Sequence, residues 1–336
     1  MDEPIDFEAR AKQWVTQRYG EGAGVRNFGP MPGNSGLSFG FDIYSSGESV
    51  LESVVVRLAP PGVRRSGNTD VLRQVPLLQA LGQTDVPVAP LLWHGDESSP
   101  FGTDAIAQRR LEGRSLSRNA VGTLAPGRTA DDYVERAVEA LTRVHAVDWE
   151  ALLPGWGTPV SVEDDLAYWQ RLLDKAADPQ VLELAGRVRA KLIESQPTGD
   201  RRGLFHGDFQ PNNVLYDASG DVLAIVDWEI AGVGRTGMDV GWLSFMLDKS
   251  FWGPEYREVV QIDVDPALIH GWYEQYAGVE LPHFGWYRAY AAYRFGTIAA
   301  YNVRLHRTGR RPDPVYETMA SSVPVLFQRG LEVVDS

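Results

Sequence analysis

The sequence predicts an α+β fold in two lobes, the first strand-rich and the second larger and mainly helical. Three observations carry this. Residues before about 110 fall into short alternating or β-branched runs broken by glycine and proline. Most later segments repeat apolar residues at three- and four-residue steps. One island of short strands, Leu204 to Glu229, interrupts that helical half with an unusual density of polar groups. The expected boundaries are a first lobe at 1–110 and a second at 111–336.

In the first lobe, Phe7, Ala11, Trp14, Val15 and Tyr19 share a helical face, with Asp6 placed to cap its start and Gly20 to stop it. The stretch FGPMPGNSGLSFGFDIY (Phe28–Tyr44) reads as a strand, a glycine-rich loop and a second strand. SVVVRLAP (Ser53–Pro60) is a β-branched strand stopped by Pro60-Pro61. Thr69 to Leu81 has helical spacing despite Pro76. FGTDAIAQRRLEG (Phe101–Gly113) reads as a last strand running into a connector.

The second lobe offers helices over Ala130–Val147, Asp165–Asp174, Gln180–Glu194, Ala267–Tyr276 and the aromatic-rich Phe284–Val303. In the strand island, Val214–Tyr216 and Val222–Val226 are joined by the turn Asp217–Asp221. The basic run Arg304–Arg311 reads as a solvated helix end, with an anion site as the alternative.

Composition narrows the classes of function. A net charge of −13 gives no basic face for nucleic acid or an anionic membrane. No apolar run approaches the roughly 18 residues of a membrane span. With no cysteine, disulfides and cysteine-bound zinc are excluded. The acidic start Met1-Asp2-Glu3-Pro4 has no apolar core behind it, so the expected location is cytoplasmic. Lysine occurs at four positions, Lys12, Lys175, Lys191 and Lys249, so any cation needed between Lys12 and Lys175 must be arginine.

The island LFHGDFQPNNVLYDASGDVLAIVDWE carries the chemistry. Buried carboxylates need a partner, a proton or a metal. His206 and Asp208 are two apart, Asn213 follows Asp208 by five, and Asp227 lies past a strand pair. This is the spacing by which kinase catalytic loops supply a carboxylate for a hydroxyl proton and two oxygen ligands for Mg²⁺. The alternatives are a satisfied turn, or a transition-metal hydrolase centre. The other five histidines show no metal-ligand spacing with His206.

HGDFQPNNVL followed by IVDWE resembles the signature of the aminoglycoside phosphotransferase and choline kinase-like family. The later segments YEQYAG and WYRAYAAYRFGTIAAYNVRLHRTG resemble the phosphotransferase-like domains associated with acyl-CoA dehydrogenases. The resemblance implies a protein-kinase-like fold, with a small antiparallel-sheet lobe and a helical lobe, and ATP or GTP with Mg²⁺ held in the cleft between them. It implies Asp208 as the catalytic base, Asn213 and Asp227 as metal ligands, His206 as a brace of the loop, and Asp239 as the residue that ties the loop down, with a helix N-cap or buried salt-bridge partner as the plain alternative for Asp239. Gly33, Ser35 and Gly36 would cover the phosphates with backbone N–H groups, and Arg109 to Leu111 would form the adenine hinge.

One departure stands out. Protein kinases place a lysine on the third strand and pair it with a glutamate on the next helix. Here Arg57 is in that strand position and Gln74 stands at the glutamate's expected place. The expected function is transfer of a γ-phosphoryl group to a hydroxyl of a small molecule: aminoglycoside-like, another natural product, or a hydroxyacyl-CoA. The alternative is a nucleotide-binding pseudokinase.

Overall fold

The computed structural model describes residues 5–31, 37–116, 125–176, 178–260 and 262–336. The chain divides into two compact units. The first comprises 1–113 with 223–230, and the second 114–222 with 231–336. The segment 223–230 clusters with the first unit, although it lies well beyond the boundary at 110 drawn from sequence.

The first unit opens with α1 (Phe7–Tyr19). The Asp6 carboxylate accepts from the Ala9 N–H at 2.9 Å, and Gly20, at φ +91°, ends the helix by returning its N–H to Thr16 O. The strands are β1 (Gly24–Pro30), β2 (Leu37–Tyr44), β3 (Val50–Leu58), β4 (Leu91–Gly95) and β5 (Ala105–Arg109). They form one antiparallel sheet in the order β1-β2-β3-β5-β4. The helix α2 (Gln74–Leu81) precedes β4. It is shorter than the predicted Thr69–Leu81. A 3-10 turn at Val71–Arg73, capped by Asp70, comes first, and Pro76 then occupies the third helical residue, where its missing N–H costs no helical bond. The core forms where α1 covers the sheet. Trp14, 2% exposed, meets Trp93, Phe41 and Phe101 at ring-centre distances of 5.5 to 6.2 Å. Trp14→Ala would remove about 3–5 kcal/mol of packing.

The second unit begins with β6 (Arg114–Ser115), α3 (Ala130–His145), α4 (Trp149–Leu152), α5 (Val162–Leu173) and α6 (Pro179–Glu194). Next come β7 (Arg202–Phe205), β8 (Val214–Tyr216) and β9 (Val222–Ile225), through which the chain passes into the first unit. It returns in β10 (Gly232–Arg235) and continues through α7 (Gly237–Leu247), α8 (Pro254–Arg257), α9 (Pro266–Ala277), α10 (Phe284–Arg307), α11 (Val315–Ala320) and α12 (Ser322–Val333). Several of these helices start at side-chain caps. Thr129 and Asp132 form a reciprocal capping box, Ser161 caps α5, and Asp178 and Asp265 cap helices that begin with proline. The run Arg304–Arg307 is the last turn of α10, and Arg307 pairs with Glu317.

The long helix α10 packs against α5, α6, α7 and α12. Its approach to α7 is close. A Cβ added at Gly241 would stand 2.5 Å from the Tyr287 backbone, so only glycine fits there. Helix α7 is buried on nearly every side.

Candidate active site

In the second unit, β7 pairs antiparallel with β10 from Phe205 opposite Gly232 to Arg202 opposite Arg235. The loop after β7 carries His206-Gly207-Asp208. Gly207, at φ +88°, takes a left-handed turn that side chains disfavour. Asp239, in the first turn of α7 and 1% exposed, holds this loop. Its Oδ2 accepts the His206 N–H and its Oδ1 the Gly207 N–H, both at 2.7 Å. His145 Nε2 lies 3.1 Å from Oδ2, and His145 Nδ1 lies 2.9 Å from the Tyr273 hydroxyl. Nε2–H donates to the carboxylate, and Nδ1 lies against the tyrosine hydroxyl. Burial alone would push the Asp239 pKa up. The hydrogen bond and charge of His145, the His206 charge and the His206 backbone N–H outweigh it and hold the carboxyl below its ordinary range.

Three side-chain N–H groups converge on the Asp208 carboxylate. Trp242 Nε1 donates to Oδ1 at 2.9 Å, while Gln210 Nε2 and Asn213 Nδ2 donate to Oδ2 at 2.7 and 3.1 Å. Asn213 Nδ2 also reaches the Asp208 carbonyl at 2.9 Å, and the Asp208 N–H donates to His206 Nδ1 at 3.3 Å. The carboxylate is therefore fixed in direction by groups on its own loop and on α7. With Nδ2 turned to Asp208, Asn213 presents its amide oxygen the other way, and that is the atom a hard cation takes.

In the first unit, Arg57 lies on β3 between Ser38 of β2 and Ile106 of β5. The segment 223–230 joins this unit through a parallel bridge between Val88 and Ile225, with the Ile225 N–H on Pro87 O at 2.8 Å. Within the segment Trp228, 1% exposed, donates Nε1–H to Ile225 O at 3.0 Å. Between these two residues Asp227 takes φ +67°, a left-handed conformation that costs energy for a non-glycine residue and recurs at functional sites. Arg57 Nη1 lies 2.6 Å from Asp227 Oδ1, and Arg57 Nη2 pairs with Glu229. The acid on the strand cation thus comes from the Asp-Trp-Glu segment and not from helix α2. Gln74 begins α2 at 3% exposure, and its Nε2 has no hydrogen-bond partner among the described residues.

Of the connector residues, Arg109 has its N–H on Pro90 O at 2.9 Å and its side chain on Glu52. Leu111 enters no backbone hydrogen bond among the described residues. Gly33, Ser35 and Gly36 lie outside the described residues. Among those described, no group of three or more histidine, aspartate and glutamate side chains is arranged to hold a metal. The donor set expected for Mg²⁺ is smaller, one amide oxygen and one carboxylate completed by phosphate and water, and Asn213 and Asp227 are of the right type.

Sequence reasoning missed Glu229, Gln210 and Trp242 as site residues. Each had a signal. Gln210 and Glu229 lie within the quoted signature, and Trp242 falls three residues after Asp239, one turn along the same helix.

Comparison with known proteins gives consistent findings. Residues 35–290 match a family model described as "Phosphotransferase enzyme family". The probable acyl-CoA dehydrogenase IBR3 of Arabidopsis thaliana is 29% identical over 227 residues, covering 62% of this chain and 26% of that protein. This chain spans from about a quarter to little more than a third of the curated relatives it matches. Among solved structures, a putative aminoglycoside phosphotransferase from Ralstonia eutropha superposes with a TM-score of 0.77 at 20% identity, covering 97% of each chain. The GDP complex of aminoglycoside 2'-phosphotransferase-IIIa gives 0.65 at 11% identity, covering 97% of this chain and 99% of that one. At these identities the structures show the kinase-like fold.

Proposed function

Because the chain belongs to the phosphotransferase enzyme family, we propose that it moves the γ-phosphoryl group of ATP or GTP to a hydroxyl of a small molecule. The observation that carries this reading is the Asp208 carboxylate, aimed by Trp242, Gln210 and Asn213 on a loop tied to Asp239. In the reaction, the acceptor oxygen bonds to the γ-phosphorus as the bond to the β,γ-bridging oxygen breaks. The hydroxyl proton passes to Asp208, and the nucleoside diphosphate leaves. Directing the carboxylate beforehand lowers the cost of reaching that geometry.

Arg57 is the cation for the donor's phosphates. Its planar fork can grip phosphate bidentately while Glu229 holds it in place. Asn213 and Asp227 are the residues for Mg²⁺, which when bound would neutralise charge on the phosphates. Arg109 to Leu111 are the hinge candidates for the base, and Gly33, Ser35 and Gly36 belong to the phosphate-covering loop. Residues 1–110, joined by 223–230, would bind nucleotide, and the remainder to 336 would carry catalysis and the acceptor. The GDP in the related phosphotransferase structure supports a nucleotide donor. No helix among the described residues is long and apolar enough to cross a membrane. A cytoplasmic location suits the donor. Candidate acceptors are aminoglycoside-like compounds, other hydroxylated natural products and hydroxyacyl-CoA.

A nucleotide-binding pseudokinase is the second reading. It is favoured by the hold of Arg57 on Asp227, which engages the proposed metal ligand with a cation. Transfer of labelled γ-phosphate from ATP across a panel of hydroxylated acceptors separates the two. Transfer abolished by Asp208→Ala, with nucleotide affinity retained, supports the enzyme. Nucleotide binding without transfer to any acceptor supports the pseudokinase.

A further inference from the structure

Arg294 lies on α10 with its guanidinium carbon 5.0 Å from the ring centre of Trp169 on α5 and 5.5 Å from that of Trp242 on α7. All three residues belong to the second unit. Trp242 is the same indole that donates Nε1–H to Asp208 Oδ1. A cation is thus held one side chain away from the carboxylate proposed as base.

Two other arginines packed within this bundle are matched by acids. Arg235 pairs with Asp200, and Arg288 with Asp248. No ion pair among the described residues engages Arg294, and its buried Nε has no hydrogen-bond partner there. The acid one turn before Trp169 is committed elsewhere: Asp165 accepts from Trp169 Nε1 at 3.1 Å and from the Tyr290 hydroxyl. Stacking on tryptophan stabilises the charge of a guanidinium but satisfies none of its N–H donors. A planar fork of donors held by aromatic faces and lacking an internal acid is suited to a carboxylate or phosphate. The residue as a whole is half-buried.

We propose that Arg294 sets acceptor specificity by binding an anionic oxygen group, carboxylate or phosphate, carried by the hydroxylated acceptor. Trp169 and Trp242 hold its fork in one plane, and Trp242 couples that grip to the direction of Asp208. The proposal rests on the reading of Asp208 as the base. It selects against polycationic acceptors, which a fixed cation beside the base repels.

The test measures phosphate transfer from ATP to four sets of acceptors: hydroxycarboxylates of graded chain length, their methyl esters, their CoA thioesters, and gentamicin as a polycation. The expected result is transfer to the free acids or to the thioesters, in preference to esters and gentamicin. A preference for free acids identifies carboxylate as the anion, and a preference for thioesters identifies phosphate. Arg294→Met should raise KM for the preferred acceptor at least about tenfold while KM for ATP stays within about twofold, and Arg294→Lys should recover part of the loss. Transfer to esters or gentamicin equal to that on the anions overturns the proposal, as does an Arg294→Met enzyme with unchanged acceptor KM. Failure to phosphorylate any anionic acceptor also overturns it. In that case, slow acceptor-free ATP hydrolysis that disappears in Asp208→Ala leaves the phosphotransferase reading standing, and its absence from the wild type removes that reading too.

Discussion

Arg57 and Glu229 form an ion pair in which both side chains are nearly buried, at 13% and 12% exposure, and the same guanidinium holds Asp227 at 2.6 Å. The partners are brought together from β3 and from a segment some 170 residues later in the chain. One consequence concerns stability and the other the nucleotide. An arginine between two carboxylates is tightly placed, and it covers part of the aspartate proposed to take Mg²⁺.

Arg57→Met leaves two carboxylates without their cation, and partly buried charges left unpaired are costly. The expected loss is about 3 kcal/mol, read from urea unfolding. Glu229→Gln combined with Arg57→Met should recover at least about 1 kcal/mol of it, the sign of direct coupling. Strict additivity of the two changes would show that the pair contributes nothing specific.

Trp242→Phe keeps the ring that stacks on Arg294 and removes the N–H that directs Asp208. A hydrogen bond to a charged group contributes about 1.5–3 kcal/mol, so kcat should fall by about tenfold or more with KM for the nucleotide little changed. Steady-state kinetics decides this, and an unchanged kcat would mean that the indole serves packing alone.

Asp239 gives the pH dependence. Its carboxyl is held below the ordinary value of 3.8 in the folded protein, so the unfolded chain takes up the proton first as pH falls. The stability it contributes is fully present above about pH 4 and is lost as pH drops through its folded pKa. Unfolding midpoints measured from neutral pH downward should therefore decline more steeply for the wild type than for Asp239→Asn. At neutral pH, Asp239→Ala leaves the buried N–H groups of His206 and Gly207 without acceptors and should cost about 2–5 kcal/mol.

Gly241→Ala tests the α7–α10 contact that carries Trp242. The new methyl would stand 2.5 Å from backbone atoms of Tyr287, so the helices must part. A loss of about 1–3 kcal/mol is expected, with kcat falling because Trp242 moves with α7. Calorimetry on the variant shows whether the helices give way at no cost.

Much of this was legible in the sequence because the information is local. Asp6, Gly20 and the apolar face between them specify α1, and Val214–Tyr216 has the bounds read from its short apolar run and the following turn. The order Asp208, Asn213, Asp227 is likewise a matter of spacing along one stretch. What stayed hidden depends on tertiary packing. Helix α7 is apolar all round, so it has no period to find, and β7 and β10 are four-residue strands containing glycine and arginine. The partner of Arg57 was sought on the next helix, at Gln74. The acid came instead from a distant segment, and no local pattern reports such a pairing. The stacking of Arg294 between Trp169 and Trp242 joins three helices and was illegible for the same reason.

The most direct test of the central claim is thermal unfolding of the wild type and of Asp227→Ala, each with and without Mg²⁺ and ATP or GTP. A nucleotide at 100 times its Kd should stabilise the wild type by about 2.7 kcal/mol. The account predicts a Mg²⁺-dependent rise in Tm for the wild type that Asp227→Ala lacks. Unfolding unaffected by either nucleotide in the wild type would contradict it, because a protein whose Arg57, Asn213 and Asp227 bind no Mg²⁺-nucleotide has no phosphoryl donor.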